Sequence, residues 1–148
     1  MNTRRIIAAA SALFIIGFAV ACCGMLNPAS RLYGQWKLDV DATIDRATGG
    51  NDVQAGLARA AWGMFGGDII VEFRSDGTGT FTGRTLAGAG TEEGTWAVQR
   101  ADADSIVVNF TSNNTGESRV VELMMKGPDT FEIEGDDGNV AIFRRVTQ

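Results

Sequence analysis

The 148-residue chain contains no histidine. Its absence removes the commonest general base, the histidine-dependent nucleophile triads and every imidazole metal site. Cysteine occurs only as the neighbouring pair Cys22 and Cys23, so no disulfide framework holds the remaining chain. Proline is limited to Pro28 and Pro128, which leaves the long stretch between them free to pair as strands. Basic residues are few. Past Ala21 there are 11 Lys and Arg against 18 Asp and Glu, a net charge of −7. That balance excludes nucleic acid as a partner, because such binding needs clustered cations to displace counterions. It also disfavours adhesion of the domain surface to anionic lipid.

Long apolar runs are absent except at the start. "MNTRR" carries two positive charges, "IIAAASALFIIGFAVA" is uncharged from Ile6 to Ala21, and "CCG" follows. A basic start, an apolar run and a small-residue stop describe a secretory signal. The run is shorter than the ~20 residues of a spanning helix. Ala19-Val20-Ala21 satisfies the small-x-small rule of ordinary signal cleavage, and Ala19-Val20-Ala21-Cys22 resembles a bacterial lipobox with Ala19 in the usual leucine position. The expected organisation is a lipoprotein-type signal over residues 1–21, cleaved before an acylated Cys22, with Cys23 the alternative if cleavage slips by one. Residues 22–31 then form a tether and residues 32–148 one domain. Membrane attachment is expected through the N-terminal lipid, in the bacterial outer membrane with the domain facing the periplasm. Plain secretion, or a soluble periplasmic protein, is the alternative.

Beyond the tether, turn signals and strand-like runs alternate at intervals of roughly ten residues, as in an antiparallel sandwich or barrel. Strands are expected at 34–40, 68–74, 78–84, 93–99, 105–111, 118–126, 130–134 and 139–146. Asp76-Gly77 and Asp137-Gly138 are hairpin signals, since tight turns favour positive φ. Large apolar residues recur on one side of each run: Trp36 and Leu38, then Val71 and Phe73, then Trp96 and Val98, then Val108 and Phe110. One apolar and one wet face mark antiparallel sheet. Eight such runs suit an all-β, up-and-down barrel, whose closure removes exposed edges.

One segment departs from this pattern. "NDVQAGLARAAWGMFGG" sets Asn51 as a cap with Gln54 three residues on, and Val53, Leu57, Ala60, Ala61 and Met64 follow as a helical stripe that Gly66-Gly67 ends. A single short helix is therefore expected between strands one and two, folded across the open end of the barrel. Trp62, Met64 and Phe65 near its end read either as an apolar portal or as a plug of ordinary core.

Other chemistry fails on its own spacing. "DVDATID" lacks the calcium-loop glycine, Ile44 standing at the sixth position and Gly50 at the twelfth. Glu92-Glu93 and Glu132/Glu134 sit at strand edges on outward parity, which argues against paired-acid catalysis. "SDGTGTFTG" and "LAGAGTEEG" are glycine-rich but have neither the helix nor the lysine of a phosphate loop. No metal, cofactor or catalytic residue is expected, and the chain reads as a non-enzyme.

Several stretches carry a family likeness: "GQWKLDV", "IIVEFRSDGTGTFTG", the second Gly-x-Trp strand "EEGTWAV", and the closing "DTFEIEGDDGNVAIFRRV". With these the domain resembles the lipocalin-like (calycin) families, in particular the small bacterial lipocalin-like lipoproteins. The resemblance implies that Trp36 forms the floor of the barrel beneath a last-strand arginine, Arg144 or Arg145, and strand parity leaves both open. It further implies non-catalytic, monomeric binding of a small hydrophobic or lipid-like molecule. Leu57, Trp62, Met64, Phe65, Phe73, Phe81, Trp96 and Phe110 are the candidate ligand-binding residues. The alternative is a packed barrel acting as an envelope interaction or inhibitor module with no small-molecule ligand. With so many large inward side chains, a mostly filled interior with a shallow cavity near the helix is expected.

Overall fold

A computed structural model describes residues 27–85 and 88–147. The expected signal segment, Cys22 and Cys23 lie outside those residues. A 3₁₀ turn, Pro28–Arg31, leads into β1 (Gly34–Leu38). Two helices follow, α1 (Val40–Thr48) and α2 (Asp52–Phe65). The remaining strands are β2 (Ile70–Phe73), β3 (Thr78–Thr85), β4 (Gly88–Ala101), β5 (Ser105–Ser112), β6 (Ser118–Met125), β7 (Thr130–Glu134) and β8 (Val140–Arg145). Each strand pairs antiparallel with its neighbour in sequence, and β8 returns to β1, so the sheet closes into an eight-stranded barrel. Hairpins need only local turns for this, and the turns are written in the chain. Gly77 and Gly138 take φ of +82° and +76°. The preceding carboxylates, Asp76 and Asp137, accept backbone N–H bonds from Thr78 and Asn139.

Alternation puts the expected apolar residues inside. Cross-strand partners share a face, so the register carries Trp36 through Val71, Phe81 and onward round the barrel. Trp36, Leu32, Phe131 and Ile106 have no measurable exposure. They seal one end of the barrel. The Trp36 indole N–H donates to the Leu32 carbonyl at 2.8 Å, which satisfies its one polar atom where water is excluded. Its ring lies 4.7 Å from Phe131, which stacks on Phe143 at 5.0 Å.

The open question of the covering arginine resolves in favour of Arg145. Phe143 faces inward, so Arg145 shares its side and its guanidinium carbon stands 4.2 Å from the Trp36 ring centre. Arg144 points outward and pairs with Asp39.

The inserted segment differs from expectation in two respects. It holds two helices, because the first strand stops at Leu38 and Asp39 caps α1 by accepting the Ala42 N–H at 3.0 Å. Val40 therefore opens a helix instead of closing a strand. The Asn51 cap on α2 is formed as expected, accepting from the Gln54 N–H at 3.1 Å. The second difference is orientation. α1 rests on β8, where the Thr43 hydroxyl accepts the Ile142 N–H, and α2 lies on α1. Arg59 of α2 grips Asp41 and Asp45 of α1 at 2.7 and 2.5 Å, the same acids that superficially resembled a calcium loop. The α2 stripe does not face the core: Val53, Leu57 and Met64 are 74, 69 and 70% exposed, while Ala55 on another face is buried.

Candidate functional site

The barrel interior is not filled. A cavity of about 500 Å³ runs from the Trp36 end toward the opposite end. This corrects the expectation of a shallow space beside the helix. Its deep part is lined by Phe73, Val108, Leu123, Phe131 and Phe143, and its middle by Val71, Phe110, Val121 and Ile133. Near the mouth the lining changes to Phe81, Glu92, Ser112, Thr115, Glu117 and Arg119.

The space exists because one wall has almost no side chains. On β3 the inward positions include Gly79, Phe81 and Gly83, whose partners on β4 are Gly94, Glu92 and Gly90, and the register ends at Thr85 opposite Gly88. Three of these glycines make room for neighbouring rings, Gly83 for that of Phe81, which a Cβ there would meet at 3.2 Å. A Cβ on Gly94 would stand 2.3 Å from the Thr111 carbonyl oxygen and 2.5 Å from the Phe110 ring, and one on Gly79 would stand 3.3 Å from the Trp96 ring. A Cβ on Gly90 would meet nothing within 4 Å. The described strand portions of the two glycine-rich stretches set aside as phosphate loops, from Thr78 and from Gly88, are thus paired in a cleared cavity wall.

Glu92 faces inward as the partner of Phe81, correcting its outward assignment, while Glu93 keeps outward parity. Arg119 is inward as well, opposite Phe110 on β5. Strand parity counted from Leu123 or Trp96 could have found both. They were missed because a charge at an inward position contradicts the apolar pattern used to place the strands.

The candidate residues divide into three groups. Phe73, Phe81 and Phe110 line the cavity. Trp96 belongs to the sealed end, its indole N–H shared between the Arg74 and Thr78 carbonyls at 3.2 and 2.9 Å. Leu57 and Met64 point into solvent, and Trp62 packs half-buried against the edge of the core. The side chain of Phe65 lies outside the described residues.

A smaller hollow of about 330 Å³ lies at the sealed end against Arg31, Met125 and Arg145. Its cations are already engaged. Arg145 donates to the Tyr33, Arg31 and Pro128 carbonyls and pairs with Asp129, and Arg31 donates to the Asp102 and Ala103 carbonyls. Among the described residues no three Asp, Glu or Cys side chains gather as a metal site, and no helix is long and apolar enough to cross a membrane. The cavity therefore offers shape, apolar surface and a charged rim. Comparison with protein-family models, curated proteins and solved structures finds no match to this chain. The fold itself defines its class: a closed eight-stranded antiparallel barrel around an internal cavity.

Proposed function

We propose that the protein is a lipocalin-like carrier that binds one small hydrophobic or lipid-like molecule in its barrel without catalysis, at the bacterial cell envelope. The observation that carries this reading is the cavity. Its volume of about 500 Å³ falls within the ~300–1,000 Å³ typical of small-molecule sites, and its deep lining is aromatic and aliphatic. Binding would come from removing apolar surface from water, at about 25 cal/mol per Å². The envelope location rests on the N-terminal sequence, with Cys22 the acylated residue.

Native mass spectrometry of the chain, purified gently from its own membrane, tests the binding. A stoichiometric lipid-sized adduct is the expected result. A bare mass, with no response of tryptophan fluorescence to added single-chain lipids, would sink the reading. Cys22→Ser should release the protein from the membrane fraction; retention would refute the anchor.

One observation favours a second reading, an envelope interaction module. The apolar stripe of α2 is turned to solvent, with Val53, Leu57 and Met64 each more than two-thirds exposed. Such a surface is what a protein partner would cover.

A further inference from the structure

The charges around the mouth bear on what the cavity accepts. Phe81 and Glu92 are direct cross-strand partners on the inner face, and Gly83 and Gly90, the next inward pair toward the mouth, are also partners. One step further toward the mouth the inward register pairs Thr85 with Gly88. Phe81 is 40% exposed although it is large, apolar and inward, so much of its ring has no protein against it. A free aromatic ring beside a carboxylate suits a cation, which the ring attracts through its quadrupole and the carboxylate through its charge.

The rest of the mouth has the same sign. Glu117 and Arg119 line it and offset one another. The end of β7 and the turn after it, at the same end of the barrel, add Glu134, Asp136 and Asp137. Hydrogen bonds from Asn139 hold the Asp137 carboxyl below the ordinary carboxylate range, so it stays charged. Glu72, which reaches the cavity edge, is already paired with Arg74 at 2.7 Å. Among the described lining residues Glu92 and Glu117 outnumber the one cation, Arg119, a balance that favours an approaching cation over an anion.

We propose that Phe81 and Glu92 form the headgroup subsite of the cavity, and that its ligand is a single-chain amphiphile whose polar end is positively charged. The assignment rests on the ligand-binding reading and narrows it. Among the described lining residues, an anionic chain end would meet one cation, Arg119, against the carboxylates of Glu92 and Glu117.

Isothermal titration of the purified chain with three probes of equal chain length tests it: dodecyltrimethylammonium, dodecanol and dodecanoate, each kept below its micellar concentration. The expected order is cation tightest, alcohol next and carboxylate weakest, with about tenfold between the extremes. Added salt should narrow that gap. Glu92→Gln should weaken the cationic probe about tenfold and leave dodecanol unchanged, and Phe81→Leu should weaken the cation severalfold while sparing dodecanol. Dodecanoate binding as well as or better than the cation overturns the assignment, as does a Glu92→Gln protein with unaltered preference. The ranking on the unsubstituted chain decides the matter even if a variant fails to fold. If none of the three probes binds, the ligand-binding reading itself falls.

Discussion

The Arg145 guanidinium lies over the face of the Trp36 indole, 4.2 Å from the ring centre, and ties three backbone carbonyls together from that position. One side chain thus joins the last strand to the entering chain at Arg31 and Tyr33 and to the β6–β7 turn at Pro128. Its neighbour Arg144 has an identical side chain, yet it is 60% exposed and makes a single surface pair.

Exchange of the two arginines for methionine should therefore give very different results. Arg145→Met loses the cation–π contact, about 0.5–2 kcal/mol, and leaves part-buried carbonyls without donors. The expected destabilisation is about 2–4 kcal/mol by urea unfolding. Arg144→Met should cost under ~1 kcal/mol, as exposed pairs do. Trp36→Ala, which empties the floor, should cost about 3–5 kcal/mol. Equal losses for the two arginines would contradict the sealed-end geometry.

The cleared wall makes a contrast between glycines. Gly94→Ala forces a methyl group against the Thr111 carbonyl and the Phe110 ring, and should destabilise by about 1–3 kcal/mol. Gly90→Ala meets open space and restricts the unfolded chain, so its unfolding midpoint should stay level or rise slightly. Thermal melts of the two variants separate a glycine that admits a ring from one that leaves room.

Acid should weaken the fold partly through Asp39. The Ala42 N–H and then Arg144 hold its carboxyl below the ordinary value of 3.8. The unfolded chain therefore takes up this proton at a higher pH than the folded chain does. The stabilisation is complete above the ordinary carboxylate range and fades as pH falls through the depressed folded value. Asp39→Asn keeps a capping oxygen but cannot titrate. Its stability between neutral pH and about pH 3 should fall less steeply than that of the unsubstituted chain. Parallel urea titrations across that range check the slope.

The exposed stripe of α2 should tolerate polarity. Leu57→Gln and Met64→Gln are expected within ~0.5 kcal/mol of the starting stability, because neither side chain packs against the barrel. Ala55→Leu, at the buried position of the same helix, should cost about 1–3 kcal/mol. A large loss from Leu57→Gln would mean that α2 packs by its apolar stripe.

The strands could be read from the sequence because each has one wet and one apolar face, and period-two alternation survives almost any tertiary context. Trp36, Val71, Val108 and Leu123 illustrate this. The helix pair was half legible. Asn51 announces α2, but Asp39 and Asp41 look like the polar side of a strand until the Ala42 N–H is seen to need a cap. The stripe of Val53, Leu57 and Met64 gave the period correctly and the partner wrongly, since an apolar face specifies burial without saying against what. The cavity was the least legible feature. Its wall is built from glycines, which carry no hydropathy signal, and from Glu92 and Arg119, whose charges oppose the rule that located everything else.

The up-and-down course also settles which way the cavity looks. β1 begins and β8 ends at the Trp36 end, where Val146 N–H donates to the Gln35 carbonyl and the Pro28–Arg31 turn lies against β4. Both routes into and out of the domain leave from the sealed base, and the rim bearing Phe81 and Glu92 is at the far end. The barrel is a cup whose foot carries both ends of the described chain and whose mouth opens on the opposite side.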